Sequence, residues 1–379
     1  MKKVTIFGST GSIGRNALSV IRKNKADFKI HGLSTNQNVD IICSQIKEFS
    51  PSYVCIVDSK KAELLKKRIA KNIKIFSGEE GLCEFAALSS DISLMAISGI
   101  NALKPLMINI KYAKRIALAN KESIVTAGSL VFNKARRFNT EIIPVDSEIN
   151  AIFQLLKPGL DFKKVYLTAS GGPLLDYSAS ELSKVSVKKV LAHPTWEMGR
   201  KITVNSATLL NKGFEVIESH HFFNLDYSNI GIVIHRESHV HALVEFKDSS
   251  LFACMYQPDM KIPISFALNY PKRMPVSNSE NFKTKFSLTF EPLEVKKFPF
   301  LEIILEAARR KDNALVILNA CDEVLVEYFL KNKIKFIDMQ KVMRHIFSNY
   351  RAQKINNEND VFYWDDWARY KTKEYLEKL

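Results

Sequence analysis

The opening of the chain constrains its fold more than any other feature. Val4-Thr5-Ile6-Phe7 reads as a short apolar strand, and Gly8-Ser9-Thr10-Gly11-Ser12-Ile13-Gly14 turns it directly into a helical pattern. Glycines there permit a tight strand-to-helix turn and let backbone amides approach a pyrophosphate at the helix N-terminus. Strand-like runs recur at Ile30-His31-Gly32-Leu33, Tyr53-Val54-Cys55-Ile56-Val57, Leu94-Met95-Ala96-Ile97 and Arg115-Ile116-Ala117-Leu118, with helical periods between them. This alternation predicts an α/β unit over residues 1–145, a Rossmann-like, doubly wound and mostly parallel sheet. The G-x-x-G-x-x-G spacing is a variant of the dinucleotide fingerprint, and a tight turn without a ligand is the competing reading. After the second strand, Ser34-Thr35-Asn36-Gln37-Asn38 carries neither an acid for a ribose 2′-hydroxyl nor a cation for a 2′-phosphate. The residues alone therefore leave NAD and NADP both open.

Beyond residue 145 the pattern changes. Val165-Tyr166-Leu167-Thr168 and the long alternating run from Ile232 to Phe246 read as strands, which predicts a mixed α+β domain over 146–290. After Phe298-Pro299-Phe300 the helical runs Leu301 to Arg309, Leu315 to Lys331 and Ile337 to Phe347 predict a C-terminal helical bundle, with linker, over 291–379. Several domains suit a chain of 379 residues.

The carboxylates carry the chemistry. The run Glu141-Ile142-Ile143-Pro144-Val145 gives out at Asp146-Ser147-Glu148, whose two acids point one way if they extend a strand. Downstream, Ser206-Ala207-Thr208-Leu209-Leu210-Asn211-Lys212-Gly213-Phe214-Glu215 reads as one helix with Ser206 as N-cap. At about 100° per residue, Thr208, Asn211, Lys212 and Glu215 share one side and Leu209, Leu210, Phe214, Val216 and Ile217 the other. Asp146, Glu148 and Glu215 make three oxygen donors without a cysteine, which favours Mg²⁺ or Mn²⁺ over zinc. The competing readings are a solvated helix start and an ordinary amphipathic helix.

Other candidates lie at strand ends. Asn120-Lys121-Glu122 follows Leu118, where α/β sheets place ligands, or is a charged helix cap. Ser170-Gly171-Gly172-Pro173 offers amides and a hydroxyl to an oxyanion or phosphate, or is a plain turn. The segment from His193 to Lys201 carries Trp196 between Pro194 and Gly199, as a lid over substrate or a loop anchored by its indole. His235, Glu237, His239 and His241 alternate as if on one strand face, but ligands that close on one strand rarely converge on a single ion. An interface or core role is the better reading for them, and His220-His221 reads as a cap or packing feature.

Composition sets bounds. The net charge of +15 comes from lysines spread over many helix surfaces without an arginine–aromatic platform, which argues against nucleic acid and is compatible with attracting anionic ligands. No run approaches the roughly 18–20 apolar residues of a bilayer span. The start runs straight into a strand, so no signal or transit peptide is expected. Five scattered cysteines without a C-x-x-C pair fit a reducing cytoplasm, with buried thiols in place of disulfides or zinc.

Taken in order, these blocks resemble the 1-deoxy-D-xylulose 5-phosphate reductoisomerase family, essentially over the whole chain. The blocks are Gly8 to Gly14, Ala119-Asn120-Lys121-Glu122-Ser123, Pro144-Val145-Asp146-Ser147-Glu148, Ser170-Gly171-Gly172-Pro173, His193 to Lys201, and Asn211-Lys212-Gly213. The resemblance implies NADPH held at the Gly8 turn by Thr10, Gly11, Ser12 and Ile13, with Asn38, Asn120, Glu122 and Gly199. It implies a divalent ion on Asp146, Glu148 and Glu215. It places the sugar phosphate substrate at Lys121, Ser147 and Glu148, with its phosphate around Ser170, His193, Ser206, Asn211 and Lys212. Trp196 and Met198 would belong to a mobile lid, Lys121 would assist the chemistry, and the chain would form a homodimer. The implied reaction is metal-assisted rearrangement of a ketose phosphate followed by hydride transfer to give 2-C-methyl-D-erythritol 4-phosphate. Gln37 departs from the basic residue usual in the family near the 2′-phosphate, and His235-Arg236-Glu237-Ser238 departs from its usual His-Pro-Gln-Ser. Two other classes keep the glycine turn: a metal-free NADP-dependent dehydrogenase, and a catalytically silent nucleotide-binding protein.

Overall fold

The computed structural model describes residues 1–69, 72–156, 161–276 and 286–378. The chain divides into two compact units, the first made of Met1–Ser123, Val131–Asn150 and Asp259–Lys283, the second of Ile124–Leu130, Ala151–Pro258 and Thr284–Leu379.

Seven strands build the first unit: β1 (Lys2–Phe7), β2 (Phe28–Thr35), β3 (Tyr53–Ile56), β4 (Lys74–Ser77), β5 (Ser90–Met95), β6 (Ala113–Leu118) and β7 (Glu141–Pro144). Between and after them run α1 (Ser12–Lys23), α2 (Val39–Phe49), α3 (Ser59–Lys66), α4 (Gly78–Ala86), α5 (Leu103–Asn109), α6 (Lys121–Phe138) and α7 (Ser147–Leu155). The strands pair in parallel in the order β4-β3-β2-β1-β5-β6-β7. The order reverses between β1 and β5, which opens a crevice beyond their carboxyl ends. Val4, Ile6, Phe7, Leu94 and Met95 are wholly buried, because a sheet covered by helices needs apolar residues on both faces. β4, which lacks a long apolar run, was not legible in the sequence.

The second unit is built on β8 (Phe162–Ala169), β9 (Ile230–Ile234), β10 (Val240–Phe246), β11 (Leu251–Met255) and the short β12 (Glu291–Pro292), in the order β11-β10-β8-β9-β12. Its helices before β9 are α8 (Ala179–Leu182), α9 (Val187–Val190), α10 (Arg200–Ala207) and α11 (Leu210–Phe223). The next helix, α12 (Lys261–Asn269), belongs to the first unit and packs on α1. A bundle follows: α13 (Pro299–Arg310), α14 (Ala314–Leu330), α15 (Phe336–Ser348) and α16 (Glu358–Leu376). Buried residues surround α14 on every side, Asn319 and Asp322 included, so it is the central helix of that bundle. An α/β unit with a Rossmann-like sheet, a second mixed sheet and C-terminal helices is the architecture expected from the sequence.

Two local expectations are corrected. The run from Ile232 to Phe246 is two strands joined by a turn, in which Ser238 has φ +56°. His235 follows β9, Glu237 lies in the turn and His241 is in β10, so the four residues do not share one strand face. His235 Nδ1 is instead 2.8 Å from the Thr289 carbonyl, and His241 stacks on Tyr256 at 3.8 Å between ring centroids. The second correction concerns the helix read from Ser206, which breaks: α10 ends at Ala207, and Leu209 enters α11 with φ +55°. Ser206 therefore sits in the last turn of α10 and is not an N-cap.

Candidate active site

The glycine turn is sterically required. Gly8 has φ +80°, and a Cβ there would lie 2.6 Å from the Ala96 carbonyl oxygen. A Cβ on Gly14 would lie 2.4 Å from the Gly8 carbonyl oxygen. Side chains then pin the turn to the second strand and to the helix after it. Ser9 Oγ donates to Gln45 Oε1 at 2.7 Å, while Gln45 Nε2 donates to the Ser9 carbonyl at 2.9 Å. Thr10 and Thr35 hydroxyls meet at 2.7 Å. Gly11 caps α1 in an extended conformation without a side-chain bond, and Ser12 and Ile13 form the first turn, so this helix start presents backbone amides. Asn38 caps α2, accepting from the Ile41 amide at 3.0 Å. No motif pointed to Gln45, whose role is to hold Ser9.

Across the switch point, β5, β6 and β7 lie side by side, so the segments after them are neighbours at one edge. Asn120 caps α6 by accepting from the Ser123 amide at 2.9 Å, and its Nδ2 donates to the carbonyls of Ile97 and Gly99, each at 3.0 Å. Glu122 accepts from the Gly99 amide at 3.2 Å. These buried groups fix the loop after β5. Because Leu118 pairs with Pro144, Lys121 and Asp146 emerge next to each other, and their ion pair measures 2.7 Å.

Asp146 and Glu148 do not continue a strand. β7 ends at Pro144, Ser147 begins α7, and Glu148 lies in the first turn of that helix, where its charge suits the dipole. The helix start expected as the bland reading is thus the local structure. The Ser147 hydroxyl donates to the Glu148 carboxylate. Asp146 Oδ1 is buried with no hydrogen-bond partner among the described residues. An anionic oxygen in that state is costly unless a cation meets it, and carboxylates suit a hard divalent ion, so the donors fit Mg²⁺ or Mn²⁺.

In the second unit, β8 delivers Ser170 into a turn where Gly171 and Gly172 have φ +83° and +69°. A Cβ on Gly172 would lie 2.8 Å from the Ser206 carbonyl oxygen, so that glycine brings the turn against the end of α10. His193 Nδ1 accepts from the amides of Thr195 at 3.2 Å and Trp196 at 3.0 Å. Its proton is therefore on Nε2, 3.1 Å from Ser170 Oγ. Burial lowers the His193 pKa and keeps the ring neutral. Ser170 Oγ also accepts from the Gly172 amide at 3.3 Å. With two bonds accepted, its own proton is left to donate to an anion.

Helix α11 gathers Asn211, Lys212 and Glu215, as its periodicity predicted. Asn211 Nδ2 donates to Glu215 Oε1 at 2.5 Å, and Lys212 Nζ donates to the Thr168 carbonyl at 2.5 Å and to the other Glu215 oxygen. Lys212 and Glu215 are 4% and 1% exposed, so this charged pair is deep. Gly213 serves packing, since a Cβ there would lie 2.1 Å from Ile304 Cγ2 on α13. Trp196 is half-buried and meets the His241 ring edge-on at 6.0 Å, Met198 is half-buried, and Gly199 caps α10.

Sequence models of known families match nearly the whole chain: residues 4–128 match 1-deoxy-D-xylulose 5-phosphate reductoisomerase, 142–223 its C-terminal domain and 255–371 the DXP reductoisomerase C-terminal domain. The chain belongs to the 1-deoxy-D-xylulose 5-phosphate reductoisomerase family. It is 43% identical to the reductoisomerase of Thermodesulfovibrio yellowstonii over 97% of this chain and 98% of that one. It is 40% identical to the enzyme of a Sulfurihydrogenibium species over 96% and 95% of the two chains. Among solved structures, the Zymomonas mobilis reductoisomerase in complex with NADPH matches with TM-score 0.93 and 33% identity over 100% of both chains. A reductoisomerase in complex with NADPH, fosmidomycin and magnesium matches with TM-score 0.94 and 35% identity, over 100% of this chain and 98% of that chain.

Proposed function

We propose that this protein converts 1-deoxy-D-xylulose 5-phosphate into 2-C-methyl-D-erythritol 4-phosphate, using NADPH and a divalent ion, as an enzyme of isoprenoid precursor biosynthesis. Family membership over the full length carries this reading. Asp146, Glu148 and Glu215 hold the metal. Asp146 and Glu148 stand at the start of α7 and Glu215 lies buried on α11, and three carboxylates without a cysteine support a hard, oxygen-liganded ion. Mg²⁺ or Mn²⁺ bound there supplies Lewis acidity toward adjacent carbonyl and hydroxyl oxygens of the ketose. NADPH, at Gly8, Thr10, Gly11, Ser12, Ile13, Asn38, Asn120, Glu122 and Gly199, supplies the hydride.

The chain's own residues do the rest. Lys121, paired to Asp146, donates to a reacting oxygen, and Ser147 and Glu148 orient the substrate. Ser170, with neutral His193 behind it, donates to the phosphate together with Ser206, Asn211 and Lys212. Trp196 and Met198 cover the substrate and exclude water. Residues 1–145 serve the cofactor, 146–290 the metal, the substrate and dimerisation, and 291–379 the helical support.

The protein works as a homodimer in the cytoplasm. β11 is the sheet edge and exposes Leu251 and Phe252 by 58% and 53%, which supports covering by a second copy. All five cysteines are free thiols, which supports a reducing compartment. Among the described residues no helix is long and apolar enough to cross a membrane.

The test is NADPH consumption with 1-deoxy-D-xylulose 5-phosphate, with and without Mg²⁺. Stoichiometric oxidation that requires the ion is expected. Oxidation without metal, or none with it, would contradict the reading.

A further inference from the structure

A cavity of about 430 Å³ opens at the end of β2, lined by Gln37, Asn38, Asp40, Lys61 and Arg68 with Val39 and Leu64. In doubly wound sheets the group that reads the ribose 2′ position sits at the end of this strand, one strand over from the glycine turn. Gln37 brings no charge there. Two cations reach the cavity from the next crossover: Lys61 projects from α3, and Arg68 follows that helix. Arg68 Nη1 is 2.6 Å from Asp40 Oδ1. Lys61 and Arg68 against Asp40 leave the wall net positive, and Asp40 is 88% exposed, so water screens its charge.

We propose that Arg68 and Lys61 supply the 2′-phosphate recognition of NADPH in this chain, replacing a basic residue at position 37. The inference rests on the NADPH-dependent reading above. A guanidinium offers paired donors to phosphate oxygens, and Lys61 adds a point charge from the facing helix. Both side chains are exposed, so their removal should not disturb folding.

Calorimetric titration of wild type, Arg68→Ala, Lys61→Ala and the double variant with NADPH and with NADH tests this directly. Each single change should weaken NADPH about tenfold, the loss of one charge-assisted contact, and leave NADH within about twofold. Arg68→Lys should keep part of the NADPH affinity, and added salt should weaken NADPH more in wild type than in the double variant. A double variant that binds NADPH undiminished, or loses both dinucleotides equally, would overturn the assignment while wild-type turnover upheld the enzyme. A wild type that bound neither dinucleotide would overturn the functional reading and the assignment with it.

Discussion

Lys121 Nζ and Asp146 Oδ2 lie 2.7 Å apart with side chains only 12% and 13% exposed, joining the starts of the segments that follow two neighbouring parallel strands. The pair places a cation beside a carboxylate whose other oxygen is buried without a hydrogen-bond partner among the described residues. Lys121→Met should lower stability without metal by about 2 kcal/mol, as expected for a lost hydrogen bond between charged groups. Adding Mg²⁺ should narrow the deficit, because an ion at Asp146 restores the positive charge. Thermal melts of both proteins with and without Mg²⁺ check this. Equal deficits in the two conditions would remove the ion from Asp146.

Gly14→Ala should damage the cofactor turn. The new Cβ meets the Gly8 carbonyl at 2.4 Å and Ser9 Cα at 2.5 Å, both backbone, so the turn itself must shift. A loss of about 1–3 kcal/mol is expected, with NADPH affinity down at least tenfold. Gly11→Ala meets nothing closer than 3.4 Å and should fold within about 0.5 kcal/mol of wild type. Urea melts and NADPH titration separate the two.

The difference between legible and illegible features is physical. The parallel sheet was readable because doubly covered strands must be apolar runs, and the Asn211–Lys212–Glu215 cluster because helical periodicity alone places those residues on one side. The two acids after Pro144 were read as a strand end but open a helix, since chain direction at a strand end depends on the helix that follows. The break at Leu209 was invisible, because a leucine at φ +55° carries no local signal. Gln45 and Thr168 were missed for another reason: Gln45 acts through a reciprocal pair of long-range hydrogen bonds with Ser9, and Thr168 through its carbonyl to Lys212.

Ser170→Ala should raise KM for the sugar phosphate while NADPH affinity stays unchanged. His193 keeps its bonds from Thr195 and Trp196, so the change removes a donor without releasing the loop. One hydrogen bond to a charged group corresponds to about 1.5–3 kcal/mol, hence roughly tenfold or more in KM. Steady-state kinetics beside NADPH titration give the result, and an unchanged KM would place the phosphate elsewhere.

His221 makes stability depend on pH. Burial first, then the charge of neighbouring His220, lowers its pKa from 6.5 to about 4. Above the unfolded value the neutral ring is the same in both states and the full contribution is present. As pH falls from about 6.5 toward 4 the unfolded chain binds the proton first, and about 3 kcal/mol is lost. Urea melts across this window should show a steeper decline for wild type than for His221→Gln. Parallel slopes would remove His221 as the cause.

The central claim, that Asp146, Glu148 and Glu215 share one divalent ion, is tested most directly by Mn²⁺ titration followed by electron paramagnetic resonance. Wild type, Asp146→Asn, Glu148→Gln and Glu215→Gln would be compared, each also titrated with NADPH. One tight Mn²⁺ site in wild type is expected, weakened at least about tenfold by every single change, with NADPH binding retained. Mn²⁺ affinity that survives any one of the three substitutions unchanged would contradict the shared site.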